Sequence, residues 1–268
     1  MHPVILDFGA FKLHSYGLMV FLAFAAGVWL GTVRGRKAGL PDGLVMDLAV
    51  WIMVSSLLGA RLTYVAAHWG DFRGHWLDAL SPFQSDGSIG IAGLVILGGV
   101  AAALPTAYWY LRRKGLSFLL TLDVLVPSLA FGIALGRIGC YLNGCCFGFP
   151  TALPWGVQFP ASCYAGHVYP HLHIHPTQLY EMLYCIAIGL FLLWRTAGRR
   201  YTGELFHWFA LLYGAARVWD ESLRYYSPAV VPWMIGHARI SGSMVASLLM
   251  ALWGAGMLVR NWNRPAKH

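Results

Sequence analysis

The chain alternates long apolar runs with short polar connections, and the runs have the length of membrane-crossing helices. A helix crosses the hydrocarbon layer in about 20 residues. Runs of that order occupy roughly Tyr16–Val33, Leu44–Ala67, Ile89–Leu111, Phe118–Leu142, Thr177–Trp194, Glu204–Trp219 and Ser241–Val259. The pattern predicts an all-α polytopic membrane protein of about seven transmembrane helices, built as one integral membrane domain over residues 1–268. The longest connection, at about 143–176, is rich in Pro, Gly, Cys and His. A connection of that length is expected to be an ordered functional loop rather than a linker.

Composition strengthens this reading. Only 11% of residues are charged and 58% are hydrophobic, whereas soluble domains carry about 25% charged residues. The formal net charge is +8, but the basic residues are not pooled on one segment, so nucleic acid is not an expected partner. They recur in alternate connections: Arg34, Arg36 and Lys37, then Arg112, Arg113 and Lys114, then Arg195, Arg199 and Arg200, and in the tail Arg260, Arg264 and Lys267. The intervening side has only Lys12, Arg73, Arg224 and Arg239. An excess of Lys and Arg marks the cytoplasmic face. The N-terminus is therefore predicted outside, the C-terminus in the cytoplasm, and the Cys/His-rich loop on the extracytoplasmic side.

Three basic residues remain inside apolar runs: Arg61, Arg137 and Arg217. An arginine in the bilayer is costly unless paired or wetted, so each is a functional-site candidate. They lie on the second, fourth and sixth runs, which share one direction, and all nearer the outer end. Three guanidinium groups at one depth predict an anion pocket, and a phospholipid phosphate is the anion at hand.

Local motifs add candidates. Tyr213, Arg217, Glu221 and Arg224 fall at i, i+4, i+8 and i+11, on one helical stripe. There Glu221 is expected to hold Arg217 while the remaining guanidinium donors face the pocket; simple mutual neutralisation fits the same spacing. Arg137 is flanked by Gly136 and Gly139, which allow close backbone approach, and is followed by the donor Asn143. In His175-Pro176-Thr177-Gln178-Leu179-Tyr180-Glu181, Pro176 suits the first helical position, and Gln178 and Glu181 share a face. A helix start at the outer interface is itself an anion site. Cys145, Cys146 and Cys163, with His167 close by, suit a disulfide or a metal. The usual C-x2-C zinc spacing is absent. An oxidising compartment favours a disulfide between Cys163 and Cys145 or Cys146, with no metal and no cofactor expected.

Together these segments resemble the bacterial prolipoprotein diacylglyceryl transferase family. The resemblance rests on Gly136-Arg137-Ile138-Gly139 with Asn143, Gly144 and Gly148, on His175–Glu181, and on Tyr213-Gly214 with Arg217, Glu221 and Arg224. His2-Pro3, Tyr16-Gly17-Leu18-Met19 and Gly59-Ala60-Arg61 with Tyr64 extend it along the chain. It implies a multi-pass protein of the bacterial cytoplasmic (inner) membrane that moves the diacylglyceryl group of phosphatidylglycerol onto the lipobox Cys thiol of a preprolipoprotein signal peptide, releasing glycerol phosphate. The resemblance carries the family's essential arginine to Arg137 and its second to Arg217. Tyr213, Glu221 and His175 join them as catalytic candidates, and Tyr16, Arg61, Asn143, Gln178, Glu181 and Arg224 as substrate-binding ones.

The chain also departs from the pattern. Leu97 stands where the family commonly has His, Cys140 where it often has Asn, Cys145 where it often has Glu, and Gly242-Ser243 where it has Gly-Gln. Leucine takes no proton, which leaves His14, His175 and Glu181 as candidate bases. A divergent paralogue with another acceptor, or an inactive phospholipid-binding protein, would keep the same anion site.

Overall fold

A computed structural model describes residues 4–7, 12–72, 96–226, 233–235 and 238–263. His2-Pro3, Arg73, the 89–95 part of the third run and the Leu97 side chain lie outside what is described. The described helices are α1 (Ser15–Lys37), α2 (Leu44–Ala67), α3 (Ile96–Arg113), α4 (Phe118–Asn143), the short α5 (Tyr164–Val168), α6 (Thr177–Thr196), α7 (Glu204–Leu223) and α8 (Gly242–Arg260). Seven of these have 18 or more residues, and they fall on the seven apolar runs. Five, namely α1, α2, α4, α6 and α8, are long and apolar enough to cross a membrane. In α3 the closing Arg112 and Arg113, and in α7 the charged Glu204, Arg217, Asp220 and Glu221, lower the hydropathy.

Burial is inverted relative to a water-soluble fold. Trp194 and Val259 are 74% and 75% exposed, while Asp123, Glu181, Asp220, Glu221 and Arg217 are buried. Apolar side chains facing outward and charges facing inward fit lipid as the surrounding medium.

Two compact units are distinguished: Met1–Arg34 with Leu122–His268, and Gly35–Thr121. In the second unit α2 and α3 approach closely through glycine. A Cβ on Gly59 would lie 2.5 Å from the Gly98 carbonyl oxygen. Such small-residue contacts are how helices associate where lipid removes the hydrophobic drive. The Tyr110 hydroxyl ties α3 to α2 by donating to Asp47 Oδ2 at 2.9 Å. Arg61 is buried on α2, its guanidinium 5.6 Å from the Tyr64 ring centre and 5.3 Å from that of Phe72.

In the first unit α1 packs on α4. A Cβ on Gly139 would lie 2.9 Å from Met19 Cβ and 3.4 Å from the Tyr16 ring. Helices α4, α6 and α7 share a core of Val126, Ala130, Ile188, Leu192, Leu205 and Phe209. At one end, Asp123 of α4 accepts the Gly203 N–H at 2.6 Å and the Phe206 N–H at 3.0 Å, capping α7 from a neighbouring helix. The start of α7 is therefore level with Asp123, on the second turn of α4, and the two helices run parallel. Arg137 and Arg217 each lie fourteen residues beyond that cap (137 − 123 and 217 − 203). At 1.5 Å per residue both sit about 21 Å further along. Helix α6 runs the other way, so Glu181, near its start, reaches the same level.

Among the described residues three short antiparallel ladders sit outside the helices: β1 (Val4–Asp7) with β2 (Lys12–His14), β3 (Val157–Gln158) with β4 (His173–Ile174), and β5 (Trp233–Ile235) with β6 (Ala238–Ile240). The long connection between α4 and α6 is an ordered element holding α5, β3 and β4. It has its own core of Phe147, Phe159, Cys163, Ala165 and Ile174.

Candidate active site

The site begins where α4 ends. Gly144 adopts φ +69°, the Gly144 N–H bonds to the Tyr141 carbonyl at 3.1 Å, and the Cys145 N–H bonds to the Cys140 carbonyl at 3.1 Å. This is a Schellman termination, which needs a residue without a Cβ at the left-handed position. A Cβ on Gly144 would moreover lie 2.6 Å from Cys163 Cβ. The backbone then passes under α6: Gln178 Nε2 donates to the Cys145 carbonyl at 2.6 Å and Thr177 Oγ1 to the Cys146 carbonyl at 2.8 Å. The His175 and Gly148–Phe149 backbones pair at 3.0 Å, and at Gly148 a Cβ would lie 2.7 Å from the Leu223 carbonyl. Gly148 is therefore required by crowding where α4, α6 and α7 meet.

At that junction Glu181 joins Arg137 and Arg217, the two arginines of this unit that lie inside apolar runs. Arg137 Nε lies 2.8 Å from Glu181 Oε2, and Arg217 Nη1 lies 2.5 Å from the same oxygen. Tyr213 donates to Glu181 Oε1 at 3.0 Å. Arg217 is held further by Asp220 at 2.9 Å and by Glu221. Glu221 also accepts from Tyr226 at 2.8 Å, Ser241 at 2.7 Å and Ser243 at 3.1 Å, and has Arg224 at 3.6 Å.

Charges in this network balance: Arg137, Arg217 and Arg224 against Glu181, Asp220 and Glu221. Arg217 is engaged by three carboxylates, so the expectation that its remaining donors face a pocket is not met; the neutralising alternative describes it better. Arg137 is different. Its Nη1 faces the Cys140 sulfur at 3.8 Å, and its Nη2 meets no partner among the described residues. The guanidinium edge opposite Glu181 is the part of this network able to take an anion.

Asp220 was not among the sequence candidates. It is buried one turn from Arg217, with Oδ1 lacking a partner among the described residues. The rule that singled out intramembrane arginines applies equally to carboxylates in the same helix, and it would have found Asp220.

The structure brings together Tyr16, Arg137, Asn143, Gln178, Glu181, Tyr213, Arg217, Glu221 and Arg224. Tyr16 packs at Gly139 and interacts electrostatically with Arg137 and with the thiols of Cys140, Cys145 and Cys146. Asn143 closes α4 beside the Cys145 thiol. Arg61 belongs to the other unit. His175 lies just before α6, its Nδ1 3.1 Å from the Tyr180 hydroxyl, which receives Trp155 Nε1 at 2.9 Å. Burial pushes the His175 imidazole below its ordinary range, so the ring is neutral near pH 7. Helix α6 starts at Thr177, with Pro176 as its cap rather than its first residue. His14 is exposed at the end of β2. Glu181 is already bound to three donors, Arg137, Arg217 and Tyr213.

The expected Cys163 disulfide is not formed, because all five cysteines are free thiols. Cys163 Sγ turns instead to the Pro160 carbonyl at 3.2 Å. Cys140, Cys145 and Cys146 gather on one another, their sulfurs all within 4.8 Å. Hydrogen bonds from the Cys140 and Cys145 thiols, then the charges of Arg224 and Arg137, hold the Cys146 thiol well below its usual range.

A bundle of apolar helices enclosing an arginine–carboxylate network with one guanidinium edge open defines a polytopic membrane protein equipped for an anionic headgroup. The sequence profile described as prolipoprotein diacylglyceryl transferase matches residues 3–260. The chain belongs to that family. It is similar to the phosphatidylglycerol–prolipoprotein diacylglyceryl transferase of Thermosynechococcus vestitus, 35% identical with 97% of this chain and 96% of the relative covered. The enzyme of the same name from Clostridium tetani is 33% identical, with 84% of this chain and 86% of the relative covered. The Synechocystis enzyme is 35% identical, with 96% and 88% covered.

Proposed function

We propose that this protein is a phosphatidylglycerol–prolipoprotein diacylglyceryl transferase. It crosses the bacterial inner membrane seven times with its N-terminus outside and its site toward the extracytoplasmic face, where it takes the diacylglyceryl group from phosphatidylglycerol and joins it to the lipobox thiol of a preprolipoprotein signal peptide. The reaction forms a carbon–sulfur bond at a glycerol carbon and breaks that carbon's bond to the phosphate oxygen, whose electron pair leaves with glycerol phosphate. Charge grows on the departing phosphate, and donors aimed at it lower the barrier most.

The observation that carries this reading is the geometry of Arg137. Glu181 grips it through Nε at 2.8 Å, which turns the opposite guanidinium edge toward the Cys140 end of the site. That edge offers the donors for a phosphate oxygen. Arg217, Glu221 and Tyr213 position Glu181, and through it Arg137. Asn143, Gln178 and Tyr16 line the approach, and Arg224 supplies further positive charge for a lipid headgroup. Alignment with named transferases over nearly the full chain supports the reading further.

The test is complementation of a conditional bacterial strain depleted of its own diacylglyceryl transferase. Growth is expected with the wild-type chain and not with Arg137→Ala at equal membrane abundance. A well-inserted wild-type chain that does not sustain growth would favour another acceptor or a lipid-binding role.

A further inference from the structure

Among the described residues the three gathered thiols meet the arginine network only where Arg137 Nη1 faces Cys140 Sγ at 3.8 Å, yet the fold goes to some length to assemble them. Cys140 is on the last turn of α4, the Gly144 reversal brings Cys145 back over it, and Cys146 takes φ +64°, a left-handed conformation that costs a non-glycine residue free energy. The result is three sulfurs within 4.8 Å of one another.

A zinc–sulfur bond of about 2.3 Å in tetrahedral geometry needs sulfurs about 3.8 Å apart, so contraction of about 1 Å suffices. A cation stands beside the sulfurs: Arg137 Nη1 lies 3.8 Å from Cys140 Sγ. Three thiolates and a divalent cation sum to one negative charge, set beside the Arg137 guanidinium. Among the described residues three thiols gather here, and three protein ligands with the fourth position left to substrate is the pattern of a working zinc site rather than a structural one.

We propose that Cys140, Cys145 and Cys146 bind a zinc ion whose fourth position takes the sulfur of the acceptor cysteine, an assignment that rests on the transferase reading. A thiol that coordinates zinc is deprotonated outright, so the site answers the lack of a histidine at Leu97. The acceptor thiol loses its proton to water on binding. Its sulfur forms the bond to the glycerol carbon as the carbon–oxygen bond to phosphate breaks, and the resulting uncharged thioether is a weaker ligand that leaves. No electron changes hands between redox partners, and no co-reactant is needed.

The test uses the full chain, purified in detergent with a non-thiol reductant, loaded with zinc and dialysed. One zinc per chain is expected by mass spectrometry, with at least a tenfold loss in Cys140→Ser and Cys146→Ser and none in Cys163→Ser. With cobalt replacing zinc, the wild type should show thiolate-to-cobalt absorption. A lipobox peptide should shift it, while the same peptide with serine at the acceptor position should not. Because the single variants differ from wild type by one oxygen-for-sulfur exchange, thermal melting and monodispersity check that each is folded. A folded wild type that retains no zinc, or retains it equally in the Cys140 and Cys146 variants, overturns the site. Zinc binding with a cobalt spectrum blind to the cysteine peptide overturns the acceptor's role. Neither readout needs turnover, so failure of the transferase reading would show separately, as zinc bound by a chain that does not complement.

Discussion

Glu181 grips Arg137 at Nε, 2.8 Å away, and leaves the two terminal nitrogens of the guanidinium on the far side. A guanidinium serves both contacts at once because its donors are fixed in a plane, whereas a lysine ammonium is a single point of charge. Arg137→Lys is therefore expected to insert normally and to lower transfer by about 10²–10³-fold, the scale of removing one donor from a charge-stabilising site. Incorporation of labelled diacylglyceryl into a lipobox peptide checks it. Activity within a fewfold of wild type would show that charge alone, without the shared grip, is enough.

Glu221 is the hub of the second half of the network, accepting from Tyr226, Ser241, Ser243 and Arg217. Truncating it leaves buried Arg217 with less counter-charge and three hydroxyls without an acceptor. Removing one partner of a buried pair costs about 3–5 kcal/mol. Glu221→Ala should accordingly lower the melting temperature in detergent well below that of Glu221→Gln, which keeps one acceptor oxygen. Equal melting of the two variants would mean the hydroxyl contacts do not contribute.

How much of this was legible in the sequence depends on the kind of interaction. Among the described residues the apolar runs gave helix ends to within about four residues, because about 20 apolar residues can do little else in lipid. The shared depth of Arg137 and Arg217 was legible too, and the Asp123–Gly203 contact supplies its cause. What each arginine touches was not. Pairing of Glu181 on α6 with Arg137 on α4 and Arg217 on α7 depends on rotation of three helices, which hydropathy does not encode. The spacing of Arg217 and Glu221 was read as a helical pair, but Asp220, on the adjoining face, also engages Arg217. The cysteines show the same limit: their proximity in sequence suggested a disulfide to Cys163, whereas the Gly144 turn sends Cys145 and Cys146 to Cys140 instead.

Asp123 fixes the level of α7 by accepting two amide hydrogens at its start, with Arg199 3.4 Å away. Loss of a capping side chain costs about 0.5–2 kcal/mol. Asp123→Ala should lower stability by about that much and speed hydrogen exchange at the Gly203 and Phe206 amides in particular, while leaving those of α6 slow. Uniform acceleration across the unit would instead indicate that the cap supports the whole bundle.

His175 provides a pH-dependent test at the edge of the site. Its Nδ1 lies 3.1 Å from the Tyr180 hydroxyl, which in turn receives the Trp155 indole at 2.9 Å. With a neutral ring, Tyr180 donates to Nδ1 and accepts from Trp155, and every proton has a place. A protonated ring is a donor at both nitrogens, and Tyr180 is left facing two donors. Burial lowers the folded-state value below the ordinary imidazole value of about 6.5. The sign follows: the contact's stabilising contribution is fully present above about 6.5, and is lost as pH falls through the folded-state value, because the unfolded chain takes up the proton first. Histidine-labelled NMR in micelles should place His175 below 6.5, and the acid-side decline in melting temperature should shrink in His175→Gln. A titration at or above 6.5 would mean that the folded protein favours the charged ring, with the Tyr180 hydroxyl accepting from both His175 and Trp155 and its own proton placed elsewhere.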